Sequence, residues 1–343
     1  MMPYLLLFAV IGASAKNAKP NLGWLLFWPL VLMIGLRHEV GGDWGAYIRH
    51  FESYATESWA ALLSAKEPGY AVLNGLAASM GWSYYGTNLF CAFLFTYGLW
   101  RFCRAQPLPA LALAVAVPYL ITVVAMGYTR QSVAIGLSLL ALLALERQHW
   151  LRFVAWVLLA ATFHNSAVVL LILALAISGG GWWWRMPLMV AVALVAYQSI
   201  LASSIDNYLV NYEQAGYQSQ GAAIRVAMNA LPALLFLRWQ KTLQLADIQV
   251  RLWRLMAYAA LAMGLALAVA SSSTAVDRLA LYLIPLQLFV WSRMPVRFGR
   301  LDRQWVTYVL AYSFAVLIVW LFFAANSSYW LPYQFYPWVW TFS

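Results

Sequence analysis

Long runs of apolar residues, separated by short polar stretches, are the main pattern along this chain. An amphipathic helix of a soluble protein carries one apolar stripe, whereas these runs are apolar over most of their length. The runs that we interpret as membrane spans are 2–15, 22–36, 86–100, 107–126, 130–145, 150–163, 165–178, 185–203, 223–239, 253–270, 278–293 and 304–325. A straight crossing needs about 20 apolar residues, so the pattern predicts an all-α polytopic membrane protein with about 12 transmembrane helices, some short or broken.

Composition supports this interpretation. Of the 343 residues, 64% are hydrophobic and 9% are charged, whereas soluble domains are about 25% charged. These values exclude a soluble enzyme, a disordered chain and a disulfide scaffold, and predict a single integral membrane domain over residues 1–343 with membrane lipids around it. The net charge of +10 is explained by basic cytoplasmic loops, so no nucleic-acid partner is predicted.

The positions of the charges predict which loops face the cytoplasm. Most of the 21 Lys and Arg residues fall on one side of the arrangement and most of the 11 acidic residues on the other, and the basic side is cytoplasmic. One long span over 150–178 would place the basic run 238–254 outside, so we predict two short helices that meet near His164. The outer side then holds the loops 37–85 and 204–222 and the aromatic tail 326–343.

An acid pair, Glu39 and Asp43, follows the second span on the outer side, beside Arg37. Two glycines between the acids allow a tight turn, and Asp43 stands where an N-cap of the next helix is expected. One interpretation is a capped loop with surface ion pairs. The other is a pair of acids that take part in chemistry near the membrane, with Arg37 or Arg49 contacting an anion.

Three arginines stand at the outer starts of predicted spans: Arg130, Arg225 and Arg278. Each can snorkel to the interface, as arginines at helix ends often do. Helix N-termini also attract anions, and a guanidinium contacts two phosphate oxygens at once. We therefore predict a converging site for phosphate or pyrophosphate, with Gln131 and Asp277 as polar neighbours.

His164 and Asn165 lie at the predicted helix break. A histidine inside an apolar run is often a satisfied structural residue, but ionisable groups within membranes more often serve function. Imidazole can take up a proton near neutral pH, which makes His164 a candidate base.

The sequence contains no metal-ligand spacing and no nucleotide-binding loop, so we expect no metal and no cofactor. The aromatic tail 326–343 is predicted to be an interfacial anchor, with stacking on sugar rings as the alternative.

These motifs, in this order, resemble the EpsG family of exopolysaccharide polymerases, which are relatives of the Wzy-type polymerases. The residues that carry the resemblance are Val40-Gly41-Gly42-Asp43-Trp44-Gly45-Ala46-Tyr47, Glu67-Pro68-Gly69-Tyr70, Thr129-Arg130-Gln131, Phe163-His164-Asn165-Ser166, Asp277-Arg278 and Tyr282.

The resemblance implies a glycosyltransferase of the bacterial inner membrane, with a GT-C-like architecture and an active site facing the periplasm or the outside. Such enzymes move a growing glycan from undecaprenyl pyrophosphate to a lipid-linked oligosaccharide repeat unit, without a metal. A flippase and a chain-length regulator of the same pathway are the implied partners.

Under this hypothesis the arginines stabilise the pyrophosphate leaving group. The arginines assigned to it are Arg130 and Arg278, supported by Arg225 or Arg37. The candidate bases are Asp43, Glu39 and His164. The aromatic residues assigned to the sugar path are Trp44, Tyr47, Tyr70 and Tyr282.

Two other functions remain open at this point. An O-antigen-type ligase uses the same donor and leaving group, so the sequence barely separates it from a polymerase. A flippase for lipid-linked oligosaccharides needs a charged path across the bilayer, whereas the charges here cluster toward the outer side. A membrane-bound acyltransferase and a noncatalytic assembly subunit fit the motifs less well.

Overall fold

A computed structural model describes residues 1–16, 26–177, 221–269 and 273–342, together with a few isolated positions between 183 and 194. The predicted span 185–203 and nearly all of the predicted outer loop 204–222 lie outside the described residues. The same holds for part of the predicted span 22–36.

Helices form nearly all of the described structure. In chain order the elements are α1 (Met2–Lys16), α2 (Phe27–Gly35), β1 (Arg37–His38), α3 (Trp44–Ala55), α4 (Trp59–Ser64), α5 (Pro68–Ser79), α6 (Tyr84–Arg104), α7 (Pro109–Ala116), α8 (Thr129–Glu146), α9 (Trp150–Phe163), α10 (Leu171–Ile177), α11 (Ala222–Trp239), α12 (Asp247–Val269), α13 (Ser273–Ala280), α14 (Ile284–Arg293), α15 (Arg303–Phe323), β2 (Gln334–Phe335) and α16 (Tyr336–Phe342).

Four described segments are long and apolar enough to cross a membrane: Thr129–Glu146, Asp247–Ala268, Val276–Val296 and Arg303–Phe323. Shorter apolar helices accompany them: Met2–Lys16, Pro109–Ala125, Trp150–Phe163 and Asn165–Ile177. These helices confirm the prediction of an all-α, multi-pass membrane protein. The number of spans and the GT-C-like architecture stay predictions.

Helix α8 is the centre of the bundle, and most of its residues are buried. It packs closely against α6 because Gly98 and Gly136 face each other, and a Cβ on either glycine would collide with the backbone of the other helix. Small residues are the usual means by which membrane helices approach closely. This contact fixes the position of the N-terminus of α8, where Arg130 lies.

Two helices are interrupted on the way to this end of the bundle. Helix α7 continues as a π-helix over Val117–Ala125, with Pro118 near its start. Helix α9 ends at Phe163, His164 adopts an extended backbone (φ −155°, ψ 110°), and the chain resumes as a 3-10 helix over Asn165–Leu170. The break predicted near His164 is therefore confirmed, and the segment after it packs against α9.

The segment 37–85 forms a layer of short helices, α3 to α5, over one end of the bundle, which we call the outer face after the charge-based prediction. Its start is held by a two-stranded antiparallel sheet in which Arg37 faces Phe335 and His38 faces Gln334. The tail thus folds back onto the start of this layer, and its role as an interfacial anchor stays a prediction. Trp330, only 3% exposed, donates from its indole to the carbonyl of Thr122 at 2.7 Å.

Candidate functional site

Three ionisable side chains from distant parts of the chain meet in one cluster: Arg130, His164 and Glu67, which precedes α5. One oxygen of the Glu67 carboxylate accepts a hydrogen bond from Arg130 at 2.6 Å, and the other lies 2.7 Å from Nδ1 of His164. The carboxyl is buried. Burial alone would raise the pKa of Glu67, but the hydrogen bond to His164 and the charge of Arg130 outweigh it and hold that pKa below its usual value. Glu67 is therefore a fixed negative charge that orients both partners.

Arg130 is clamped between aromatic rings as well. Its guanidinium lies 5.9 Å from the ring centres of both Tyr47 and Tyr70, a cation–π geometry. Both rings are almost fully buried, so they support Arg130 and do not present a face to a sugar. The expected sugar-stacking role of Tyr47 and Tyr70 does not fit this packing.

Arg225 and Asp277 form a second, bidentate ion pair across α11 and α13. The Nε and NH2 nitrogens of Arg225 donate to the two carboxylate oxygens of Asp277 at 2.6 and 2.8 Å. The fork geometry fixes the guanidinium plane. Arg225 therefore projects in a defined direction into the space beside the outer ends of α11 and α15.

Arg278 follows Asp277 directly and is tied to the start of α8, because the side-chain amide of Gln131 donates to the Arg278 carbonyl at 2.9 Å. Within the described residues its guanidinium makes no hydrogen bond and no ion pair. The convergence of Arg130, Arg225 and Arg278 on one anion stays a prediction. The charge of Arg278 acts on the Asp43 carboxyl.

Asp43 and Arg225 both line a polar cavity of about 620 Å³. The cavity is lined by Gly42, Asp43, Val123, Tyr128, Arg225, Trp320, Ala325, Asn326, Tyr329 and Trp330. Desolvation raises the pKa of the Asp43 carboxyl above its usual value, while the charges of Arg278 and Arg130 act in the opposite direction. Asp43 occupies the N-cap position of α3, as predicted, but its side chain makes no capping hydrogen bond and remains available to the cavity.

The glycine before Asp43 makes this placement possible. Gly41 has a φ of +103°, and a Cβ there would collide with the carbonyl of Met126. Its N–H donates to the carbonyl of Tyr329 at 2.9 Å. The turn therefore packs Asp43 against the end of α7 and the tail at once.

Glu39 and Arg37 lie apart from this cluster. Glu39 is 63% exposed and its nearest charged neighbour is His38, at 4.0 Å. Arg37 is 1% exposed, and its guanidinium donates to the carbonyls of Ile34 and Val40 and to the side chains of Asn88 and Thr129. Arg37 therefore anchors the helix ends, and its contact with an anion stays a prediction that these hydrogen bonds do not support.

The other expected site residues have supporting positions. Trp44 packs edge-on against Tyr84 and does not line the cavity. Tyr282 is buried, and its hydroxyl accepts a hydrogen bond from Ser166 at 3.2 Å. Asn165 begins the 3-10 segment after His164, and Arg49 is exposed on α3.

The role of several cavity residues was missed by the sequence analysis. Glu67 was part of the motif Glu67-Pro68-Gly69-Tyr70, but no function was assigned to it. The available signal was its position: it is a single acid directly before a proline that starts a helix, in a chain with few charges. For Tyr128, the available signal was its position two residues before Arg130 in the sequence. No sequence pattern indicated a role for Asn326 and Tyr329, because only the folding back of the tail brings them to the cavity. Across the described ranges, no group of three or more His, Cys, Asp or Glu side chains gathers in a way that would hold a metal ion.

Together, the apolar helices and the polar cavity, which Arg225 and Asp43 line, define a multi-pass membrane protein with a candidate site at one end of its helix bundle. The family model described as the EpsG family matches residues 21–335. The chain therefore belongs to the EpsG family, and this membership supports a role as a polysaccharide polymerase. Searches of curated proteins and of solved structures return no match to the chain.

Proposed function

We propose that the protein is a glycosyltransferase that moves a growing glycan from undecaprenyl pyrophosphate to a lipid-linked repeat unit at the outer face of the bacterial inner membrane. The observation that carries this proposal is a polar cavity lined by Asp43 and Arg225. The charges of Arg278 and Arg130 act on the Asp43 carboxyl, and Glu67 and Asp277 hold Arg130 and Arg225 in ion pairs.

The arginines are suited to the leaving group. When the bond between the anomeric carbon and the pyrophosphate oxygen breaks, its electron pair stays on the pyrophosphate, and fixed positive groups stabilise that charge without reorganising. Arg278 has no partner among the described residues, and Arg130 is already oriented by Glu67. We assign the pyrophosphate to Arg278 and Arg130, with Arg225 as the third contact. Charge stabilisation of this kind needs no metal ion, and we propose none.

Asp43 is the group we assign as the base. The acceptor hydroxyl attacks the anomeric carbon, a new C–O bond forms, and the hydroxyl proton passes to the Asp43 carboxylate. Asp43 lines the cavity and its pKa is raised by desolvation, which brings it closer to the value that suits proton transfer. Glu67 is unsuited because both its oxygens already accept from cationic or imidazole partners.

His164 has a positioning role in this proposal. Its Nδ1 contacts Glu67, so His164 and Arg130 share one carboxylate. His164 thus keeps Glu67 in the orientation that holds Arg130. Polymer built by this reaction stays on its lipid carrier. In this proposal a flippase supplies the repeat units, and a regulator controls the chain length.

The test is complementation of a host strain that lacks the gene. Strains carrying Arg130→Ala or Arg278→Ala are expected to accumulate single lipid-linked repeat units on the outer face, whereas wild type and Arg49→Ala restore polymer. Arg49 is the matched control, because it is an exposed arginine on the same face.

Other results would overturn the proposal. Repeat units trapped on the inner face would indicate a flippase, and finished polymer that stays unattached would indicate a ligase. Full-length polymer from both arginine variants, at normal protein levels, would remove the assigned anion site.

A further inference from the structure

A second cavity adjoins the polar one and has the opposite character. It measures about 450 Å³ and lies between α11 and α15. From α15 it is lined by Tyr312, Ala315, Val316, Val319, Trp320 and Phe323. From α11 it is lined by Ile224, Arg225 and Met228. We call this cavity the α11–α15 groove.

The lining residues of α15 form one stripe along the helix. They recur at intervals of three and four residues, which is the spacing of a single helical face. From Tyr312 to Phe323 the stripe extends about 16 Å at 1.5 Å per residue. That length is about half of a hydrocarbon core of about 30 Å, so the groove has the depth of one leaflet.

The groove is open to its surroundings along its edge. Ile224 is 57% exposed and Phe323 is 78% exposed, although both are large apolar side chains. In a helix bundle within a membrane, such an edge opens sideways to lipid. An apolar chain can therefore enter the groove from the bilayer without passing through water.

The head of the groove is charged. Arg225, Trp320, Ala325 and Asn326 line both the groove and the polar cavity, so the two spaces meet at the Arg225 guanidinium. Asp277 fixes that guanidinium in place, and Arg278, the next residue in the chain, is a further positive charge that acts on Asp43. A molecule that fills both spaces therefore has an apolar tail and an anionic head.

We infer that the α11–α15 groove binds the first isoprene units of a polyprenyl pyrophosphate, whose pyrophosphate lies at Arg225 and whose sugar lies in the cavity beside Asp43. The inference rests on the proposed function for the identity of the tail. It adds the place where the carrier lipid binds and the side from which it enters. A phospholipid has the same polarity, but the polar cavity of about 620 Å³ beyond Arg225 leaves room for a large group on the far side of the phosphate, which a glycan carrier has.

The test is photolabelling of the purified full-length protein in detergent. The probe is farnesyl diphosphate with a diazirine in its terminal isoprene unit. We expect labelled peptides from α15, between Tyr312 and Phe323, with less labelling by the matching uncharged farnesol probe. Excess unlabelled farnesyl diphosphate is expected to compete, whereas excess phosphatidylglycerol is not.

Two tryptophan substitutions supply the matched pair. Ala315→Trp places a bulky side chain inside the groove, whereas Ala311→Trp places the same side chain one turn away, at an exposed position that does not line it. Ala315→Trp is expected to reduce labelling at least about tenfold, because each CH₂ group that loses its burial lowers the affinity of the tail. Ala311→Trp is expected to label like wild type. Val319→Trp serves as a second groove variant if Ala315→Trp unfolds at a lower temperature than wild type.

Labelling that maps to another helix, or that Ala315→Trp and Val319→Trp both leave unchanged, would overturn the inference. Competition by phosphatidylglycerol equal to that by farnesyl diphosphate would assign the groove to ordinary lipid and would also overturn it. The readout is binding, so the two hypotheses fail separately. A protein that makes polymer but shows no groove labelling would reject the groove as the binding site and leave the proposed function standing. A protein that is labelled in the groove but makes no polymer would reject the proposed function and leave the groove standing.

Discussion

Asp43, which lines the polar cavity, is coupled by charge to Arg278. Burial raises the pKa of Asp43, and the positive charge of Arg278 lowers it. If Asp43 accepts the proton of the acceptor hydroxyl, it must be ionised, and the reaction rate falls as pH drops through its pKa. We call the pH range of this fall the acid limb of the rate profile. Its position is therefore a measure of the charges around Asp43.

We predict that Arg278→Gln moves the acid limb to higher pH. Removing the cation takes away a charge that favours the carboxylate, so the pKa of Asp43 rises and protonation begins earlier as pH falls. The measurement is the pH dependence of the residual polymerisation rate in membranes, compared with Arg49→Gln. An unchanged limb, or one displaced to lower pH, would show that Asp43 is not the titrating base.

Asp43→Asn is expected to reduce polymer formation by about 10²–10⁴-fold, the usual contribution of a general base. The amide keeps the shape of the side chain and cannot take the proton. Polymer length and amount on gels, normalised to protein in the membrane, measure the effect. Glu39→Gln is the control and is expected to behave like wild type, since Glu39 is exposed and apart from the cavity. The reverse order of effects would transfer the role of base to Glu39.

Glu67 and Arg130 are expected to be coupled in stability. Glu67→Gln leaves Arg130 without its counter-charge, and we expect a loss of about 1–3 kcal/mol, less than for a fully buried pair because the Arg130 side chain is 34% exposed. The double variant Glu67→Gln with Arg130→Gln is expected to lose less than the sum of the single variants. Unfolding in detergent measures all three, and strict additivity would argue against the pair.

The same pair predicts how stability depends on pH. The pKa of Glu67 is lowered in the folded protein, so its stabilisation is present above the pKa of an unfolded glutamate and is lost as pH falls through the folded value. The Glu67→Gln variant is expected to lose this acid dependence, which thermal unfolding over a pH series can show.

At the scale of elements, local features were predictable and long-range contacts were not. The starts of α8 and α11 and the break at His164 follow from apolar runs ending at charged or polar residues, which are local signals. The meeting of Glu67 with Arg130 and His164 joins residues 63 and 97 positions apart, and no local pattern encodes it. Arg37 appeared to be an outer charge, but Asn88 and Thr129 enclose it from distant helices.

The contact between α6 and α8 makes a prediction at this scale. Gly136→Ala is expected to cost about 1–3 kcal/mol of stability, because the added methyl group meets the backbone of α6. Gly264→Ala in α12 is the matched control, since its Cβ would meet only a Val226 methyl group at 3.7 Å. There we expect no loss, or a small gain from helix propensity. Equal melting temperatures for the two variants in detergent would contradict the packing described here.

At the scale of the whole molecule, the sequence predicted the class of the protein and the end of the helix bundle at which the candidate site lies. The EpsG match over residues 21–335 agrees with that class. The tail was predicted as an interfacial anchor, which stays a prediction, and the structure adds that Asn326, Tyr329 and Trp330 line the cavity. Apolar and aromatic composition cannot separate these two roles, because both place the same rings near the interface. The site is therefore a product of the complete fold, in which the outer layer, the bundle and the tail each contribute residues.

The central claim is that this chain alone forms new glycosidic bonds from lipid-linked donors. The most direct measurement places purified protein in liposomes with polyprenyl-pyrophosphate-linked repeat units, without nucleotide sugars and with a metal chelator present. The account predicts a ladder of longer lipid-linked glycans, released polyprenyl pyrophosphate in proportion to bonds formed, and neither product with Asp43→Asn. Repeat units that cross the bilayer with no new bond formed would contradict it.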